Sequence, residues 1–82
     1  MILNYKKSVF KDLRDIPKAD QKKILDFIEN KLRISPDKGE KLVGNLQGQM
    51  KIRVGNYRII YVFNLEEVLV LRVGHRKDVY RD

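Results

Sequence analysis

Apolar residues recur along this chain at two spacings, and the spacing changes near the middle of the sequence. In the first half they lie three or four positions apart, which is the repeat of one face of an α-helix. Two such sets occur: Val9, Phe10, Leu13 and Ile16, then Ile24, Leu25, Ile28 and Leu32. From about residue 49 onward, apolar and polar positions alternate instead, as in strands with one buried face. The pattern therefore predicts two amphipathic helices followed by a sheet.

Turn-forming residues mark where these elements begin and end. A short apolar run at residues 2–5 predicts a first strand, and Ser8 is predicted to cap the first helix. Pro17 separates that helix from a second one over residues 19 to about 33, which ends at the turn of residues 35–39. After an ordered loop, strands are predicted at residues 49–54, 57–63 and 67–73, with a turn at 64–66 and a tail at 77–82 that crosses the sheet or its edge.

The element order β-α-α-β-β-β predicts a single α+β domain over residues 1–82. Its sheet is expected to be small and antiparallel, with about four strands and both helices packed on one face. The longest wholly apolar run has five residues, at 59–63, far short of a membrane span, and no signal peptide is expected. The absence of cysteine removes disulfides and thiolate chemistry and suits a reducing cytoplasm. We therefore expect a cytoplasmic protein with no membrane partner.

The net charge of +7 favours a polyanionic partner such as RNA, DNA or an acidic protein segment. A lysine-rich solvated surface is the alternative explanation of the same charge, so the distribution of the charges has to decide between them.

The predicted hairpin of residues 50–63 carries Lys51, Arg53 and Arg58 and no acidic residue. A two-residue Gly-Asn turn places Arg53 opposite Arg58 and Lys51 opposite Ile60, on the face away from the helices. The apolar residues alternate onto the core face: Met50, Ile52, Val54, Tyr57, Ile59, Tyr61 and Phe63. Because opposed like charges destabilise a sheet, this arrangement favours a phosphate-binding face. A solvated face on which the arginines splay apart is the alternative.

The next strand adds to this basic face under one condition. If Leu69, Leu71 and Val73 face the core, Arg72 and Arg76 join Lys51 and the hairpin arginines. Placing these odd-numbered residues on the core face requires an odd-length turn after residue 63 or a β-bulge.

The inventory of reactive side chains excludes several kinds of catalysis. With one histidine, no pair of histidines can act as acid and base, and His75 alone is typical of a surface residue. No spacing of histidines and carboxylates suits a metal, and no glycine-rich nucleotide loop is present, so no cofactor is expected. RNA, however, carries its own nucleophile, the 2′-hydroxyl. Cations can stabilise the charge at phosphorus, and Tyr80 can either move a proton, if cations lower its pKa, or pack to anchor the tail.

Two segments resemble the RelE branch of the RelE/ParE toxin superfamily: KLVGNLQGQMKIRVGNYRIIYVF and LVLRVGHRKDVYRD. The resemblance implies the toxin of a type II toxin–antitoxin system. Its activity would be that of an mRNA interferase, a ribosome-dependent endoribonuclease that cuts the A-site codon by metal-free attack of the 2′-hydroxyl. By position, the catalytic residues it implies are Lys51, Arg53, Arg58, Arg76 and Tyr80.

The resemblance also implies roles and partners. Lys51 and Tyr80 would help to activate the 2′-hydroxyl, Arg53 and Arg58 would stabilise the phosphorane, and Arg76 would stabilise or protonate the leaving group. The implied RNA-binding residues are Lys51, Arg53, Arg58, Arg72, His75 and Arg76. The expected partners are a cognate antitoxin, the ribosome with its mRNA, and operator DNA only through the antitoxin. Two alternatives remain: a ParE-like inhibitor of DNA gyrase on the same fold, and a plain nucleic-acid-binding module.

Overall fold

The computed structural model describes residues 1–42 and 48–75, which form one sheet with helices packed against it. The chain begins with β1 (Ile2–Tyr5), α1 (Lys7–Arg14) and α2 (Lys18–Phe27), and α2 continues as a π-helical turn (Ile28–Leu32). A short 3₁₀ turn (Pro36–Lys38) leads to the remaining strands, β2 (Glu40–Lys41), β3 (Met50–Val54), β4 (Tyr57–Phe63) and β5 (Glu67–His75). The predicted helices and strands are thereby confirmed in type and order.

The sheet differs from the prediction in two respects. It has five strands in the order β1-β5-β4-β3-β2, and it is mixed, because β1 runs parallel to β5 while the other neighbours are antiparallel. The expectation of an antiparallel sheet with about four strands was therefore wrong. Hydrophobic alternation shows which face of a strand is buried and not which strand lies beside it. A two-residue strand such as β2 is too short to show any alternation at all.

The core lies between the helices and one face of the sheet. Both helices contribute their predicted apolar stripes, although Phe10 is 58% exposed and lies outside the core. The buried residues of this cluster are Val9, Leu13, Ile16, Ile24, Ile28 and Leu32 from the helical half, and Met50, Val54, Ile59, Tyr61, Val68, Val70 and Val73 from the sheet. Both helices thus cover one face and leave the other face of the sheet for a site.

Helix α1 begins differently from the prediction. Lys6 occupies the N-cap position and its side chain makes no capping hydrogen bond, so the prediction that Ser8 caps the helix was wrong. The Ser8 hydroxyl instead donates to the carbonyl oxygen of Leu71 at 2.7 Å. This carbonyl needs a partner because β1 pairs with β5 only as far as Val70.

The predicted turn between β4 and β5 is confirmed. The side-chain oxygen of Asn64 accepts hydrogen bonds from the backbone N–H groups of Glu66 and Glu67, at 2.8 and 2.9 Å. This local pattern is the physical reason that asparagine favours turns. Among the helices described, none has both the length and the apolar character needed to cross a membrane.

Candidate active site

The hairpin of β3 and β4 has the predicted register. Arg53 lies directly opposite Arg58, and Lys51 lies opposite Ile60. The turn is made by Gly55, with φ of +59°, and Asn56, whose φ is not positive. A positive φ at the first central residue alone is the pattern of a type II′ turn, which suits the twist of the two strands. The register prediction is therefore confirmed at each pair of this hairpin.

Lys51, Arg53 and Arg58 form the basic face, which lies on the side of the sheet away from the helices. Arg53 is exposed, whereas Lys51 and Arg58 are half-buried. Side chains directly opposite each other on antiparallel strands have Cβ atoms about 4.5–5.5 Å apart. The Arg53 Nε donates to the carbonyl oxygen of Gly55 at 3.1 Å, which holds this side chain near the turn. Two planar guanidinium groups and one ammonium group can together bind phosphate oxygens and stabilise added negative charge on phosphorus.

A β-bulge in β5 decides which residues of that strand reach the basic face. The register shifts between Ile60 and Tyr61 of β4, so Leu71 has no partner. Core-facing residues therefore lie at even positions before the bulge and at an odd position after it: Val68, Val70 and Val73. The prediction was right for Val73 and wrong for Leu69 and Leu71, which are only half-buried and lie outside the core cluster. Strand β5 is apolar on both faces, so composition alone did not distinguish the two.

Arg72 follows the bulge, and its register position opposite Ile60 puts it on the same side of the sheet as the basic face. Its guanidinium group nevertheless binds Asp12 of α1. The Arg72 Nε donates to Oδ2 at 2.9 Å and the Nη2 to Oδ1 at 3.0 Å. The hydrogen bonds to Asp12 raise the pKa of Arg72 above its ordinary value. Arg72 therefore lies at the edge of the basic face in an ion pair.

His75 lies on the other side of the sheet. It pairs with Tyr57, whose side chain packs against the core, and the two rings meet edge to face with centroids 6.2 Å apart. The Tyr57 hydroxyl donates to the Asp20 carboxylate of α2 at 2.7 Å. This hydrogen bond is the main reason that the pKa of Tyr57 is raised above 10.0. The structure thus does not bring His75 onto the basic face.

The remaining predicted residues, Arg76 and Tyr80, lie outside the described residues. The structure consequently brings together Lys51, Arg53 and Arg58, places Arg72 at the edge, and leaves His75 across the sheet. Within residues 1–42 and 48–75, no three histidine or carboxylate side chains form a cluster that could hold a metal ion.

One support of the basic face had no signal in the sequence. The buried Tyr61 hydroxyl donates to the carbonyl oxygen of Pro36 at 2.6 Å, and burial is the main cause of its raised pKa. A Cβ atom at Gly39 would overlap this hydroxyl and lie 2.7 Å from the main-chain oxygen of Lys51. Glycine therefore lets the segment before β2 pack closely on the strands that carry Lys51 and Arg58. The sequence predicts Gly39 only as part of the turn of residues 35–39.

Comparison with known proteins agrees with this fold. Residues 3–80 match the family described as the ParE toxin of the type II toxin–antitoxin system parDE, and the chain belongs to this family. Among its relatives, Toxin RelG of Mycobacterium tuberculosis is 34% identical over 74 residues, which cover 87% of this chain and 85% of that protein. Putative toxin RelE1 of Methanocaldococcus jannaschii is 29% identical over 82 residues, 93% of this chain and 90% of the relative.

A solved structure gives the same answer at the level of the fold. A chain in the crystal structure of the toxin–antitoxin complex RelBE2 from Mycobacterium tuberculosis superposes with a TM-score of 0.87 and is 29% identical, with 94% of this chain and 92% of that chain covered. With relatives named RelE and RelG, the resemblance to the RelE branch of the RelE/ParE superfamily is confirmed.

Proposed function

We propose that this toxin is a ribosome-dependent mRNA endoribonuclease that cuts the codon in the A site. The observation that carries the proposal is the direct opposition of Arg53 and Arg58, beside Lys51, on the face of the sheet that the helices leave uncovered. Like charges directly opposite each other destabilise a sheet, and a phosphate group bound by both arginines would offset that cost. The names RelE and RelG of the relatives support an RNase over other activities of the superfamily.

The reaction needs no nucleophile from the protein. The RNA 2′-oxygen attacks the adjacent phosphorus, the bond from phosphorus to the 5′-oxygen breaks, and the products are a 2′,3′-cyclic phosphate and a 5′-hydroxyl. One proton leaves the 2′-hydroxyl and one is delivered to the 5′-oxygen. Lys51 and Tyr80 take part in activating the 2′-hydroxyl, and Arg53 and Arg58 stabilise the phosphorane. Arg76 stabilises or protonates the leaving oxygen, and no metal ion or cofactor takes part.

RNA binding extends beyond the reacting phosphate in this proposal. The contacts come from Lys51, Arg53 and Arg58 on the basic face, with Arg76 following along the chain. His75 lies across the sheet at the end of β5, so any contact it makes must be with RNA or ribosome that passes around that end. Arg72 is not among these contacts, because its guanidinium group is bound to Asp12.

A cognate antitoxin is the second proposed partner. Solved relatives occur in the RelBE2 toxin–antitoxin complex of Mycobacterium tuberculosis and in the RelB-RelE antitoxin–toxin complex of Methanococcus jannaschii, and the toxin of the latter is 30% identical to this chain. With a net charge of +7, this toxin is expected to bind an acidic or amphipathic antitoxin segment that covers the basic face. Operator DNA would be bound only through the antitoxin. If the bound antitoxin leaves Lys51 and Arg58 as accessible to chemical modification as in the free toxin, this mode of inhibition is wrong.

The proposal is tested with purified ribosomes programmed with a defined mRNA and read by primer extension. We expect cuts within the A-site codon that require the ribosome. An mRNA carrying a single 2′-deoxynucleotide at the cut site should stay intact there, because it lacks the nucleophile. Cutting of the 2′-deoxy message at that position would contradict the proposed chemistry.

Inhibition of DNA gyrase, the activity expected of a ParE-like toxin, is the second candidate function. It is kept because the family that matches this chain is described as the ParE toxin of parDE. Fold alone does not separate the two activities. The same protein should therefore be added to gyrase and supercoiled plasmid. Gyrase-dependent DNA breakage together with an uncut message would replace the nuclease by this second function.

A further inference from the structure

The end of β5 is paired with β4 on one edge as far as His75, and on its other edge it is held by α1 instead of β1. Strand β1 pairs with β5 only over Glu67 to Val70. Beyond that point, two side chains of α1 form hydrogen bonds with backbone groups on this edge of β5. Ser8 donates to the carbonyl oxygen of Leu71 at 2.7 Å, and the backbone N–H of Val73 donates to the Oδ2 of Asp12 at 2.9 Å.

Asp12 makes the stronger of these two attachments. Its carboxylate accepts three hydrogen bonds, two from the Arg72 guanidinium group and one from the Val73 backbone, so both oxygens are used. The Asp12 side chain is only 13% exposed, whereas that of Arg72 is 54% exposed. Hydrogen bonds between ionised groups are stronger than neutral ones, and this carboxylate has little access to water as a substitute partner.

This geometry limits what Arg72 can do for RNA. By register it lies on the same side of the sheet as the basic face, but to bind a phosphate it would have to leave Asp12. Leaving would cost the carboxylate both of its charge-assisted hydrogen bonds from the guanidinium group. Arg72 is therefore better suited to hold the strand than to hold the substrate.

The strand held in this way borders the basic face. Gly74 lies opposite Arg58, and His75 lies opposite Tyr57, the residue that precedes Arg58. We propose that Asp12 is a positioning residue, which acts through Arg72 and the Val73 backbone to fix the end of β5 beside Arg58 and ahead of Arg76. The inference rests on the proposed nuclease function and assigns Arg72 to positioning instead of RNA binding.

The first test needs no activity. Amide hydrogen exchange is measured by NMR for Asp12→Asn and for Asp15→Asn, its matched control. Asp15 lies at the end of α1, is exposed, and makes no side-chain hydrogen bond within the described residues. We expect protection of the Val73 amide to fall about tenfold or more in the Asp12 variant, since a charge-assisted bond is weakened, with little change elsewhere. Unchanged protection of Val73 would overturn the proposal.

The second test is the single-turnover rate of ribosome-dependent cleavage, at a temperature where unfolding curves show every variant to be fully folded. A merely structural role would leave this rate unchanged. We expect Asp12→Asn and Arg72→Gln each to slow cleavage by up to about 100-fold, as small misplacements of catalytic groups do. The double variant should be no slower than the worse single variant, because both changes remove one interaction. Asp15→Asn should cut at the wild-type rate.

The salt dependence of ribosome binding separates positioning from phosphate contact. An arginine that binds a phosphate adds about 0.7–0.9 to the slope of log affinity against log salt. We expect Arg72→Gln to keep the wild-type slope. A reduced slope, or additive losses in the double variant, would make Arg72 an RNA contact and refute the positioning role.

If wild type cuts and Asp12→Asn cuts equally fast, the inference fails while the nuclease stands. If wild type does not cut, the proposed function fails and the inference falls with it.

Discussion

Replacing one of the two opposed arginines of the basic face by a neutral residue should make the free protein more stable. With Cβ atoms about 5 Å apart, the two guanidinium groups reach a separation on the order of 7 Å. Two unit charges at that distance in water repel by about 0.6 kcal/mol. We therefore expect the free energy of unfolding of Arg53→Gln to be about 0.5 kcal/mol higher than that of Arg53→Lys, which keeps the charge. For a domain of this size that is a rise in Tm of about 2–4 °C.

The comparison with lysine isolates the charge. Both variants lose the hydrogen bond from Arg53 Nε to the Gly55 carbonyl oxygen, so that loss cancels between them. Urea unfolding should be followed at low salt and at about 1 M salt, where the screening length falls to about 3 Å. The advantage of glutamine should be present at low salt and largely absent at high salt. If this stability difference between the two variants is missing at low salt, or persists unchanged at high salt, the paired arginines do not destabilise the fold by charge repulsion.

Two further predictions concern residues around the site. Asp20→Asn should lower the pKa of Tyr57 toward 10.0, because the phenol loses its charged acceptor, while the raised pKa of Tyr61 should stay unchanged since burial is its main cause. NMR titration of the tyrosine rings tests this. The folded-state pKa of Tyr57 is raised, so the stability contributed by its hydrogen bond is present below about pH 10. This stability is lost as the pH rises through the folded-state pKa. Equal pKa values for Tyr57 in wild type and Asp20→Asn would contradict the assignment. Gly39→Ala should destabilise the fold by about 1–3 kcal/mol through overlap with the Tyr61 hydroxyl and the Lys51 carbonyl oxygen, as urea unfolding would show. A variant as stable as wild type would mean that the segment shifts freely.

The parts of the fold that could be predicted are those that depend on neighbours along the chain. Helical spacing identified the buried stripe from Val9 to Leu32, and the turn chemistry of Asn64 located the last hairpin. The two-residue Gly-Asn turn fixed the register of β3 and β4, so Arg53 opposite Arg58 followed from sequence alone.

The parts that could not be predicted depend on contacts between distant residues. Asp12 and Arg72 are 60 positions apart, and Tyr57 and Asp20 are 37 apart, so no local pattern links either pair. The parallel pairing of β1 with β5 is likewise a tertiary choice. A bulge is one of two ways in which the sequence could change the parity of β5, and the apolar composition of both faces gives no indication that it lies at Leu71.

The candidate site divides in the same way. Alternation and charge predict the basic face without reference to any family. The roles of Lys51, Arg58 and Tyr80 in cleavage came from the resemblance and remain proposals. The hydrogen bonds that Asp12 and Asp20 accept from β5 and β4 have no signal in the sequence, because acidic residues on an amphipathic helix are ordinarily expected on its solvated face.

The most direct test of the central claim is the single-turnover cleavage rate of ribosome-bound mRNA by wild type, Arg58→Gln and Arg14→Gln. Arg14 is an exposed arginine in the last turn of α1, so its loss removes the same charge without touching the basic face. We predict that Arg58→Gln cuts at least about 100-fold more slowly, as expected when a group that stabilises developing charge is removed, and that Arg14→Gln cuts at the wild-type rate. Equal rates for wild type and Arg58→Gln, or equal losses in both variants, would contradict the assignment of catalysis to the basic face.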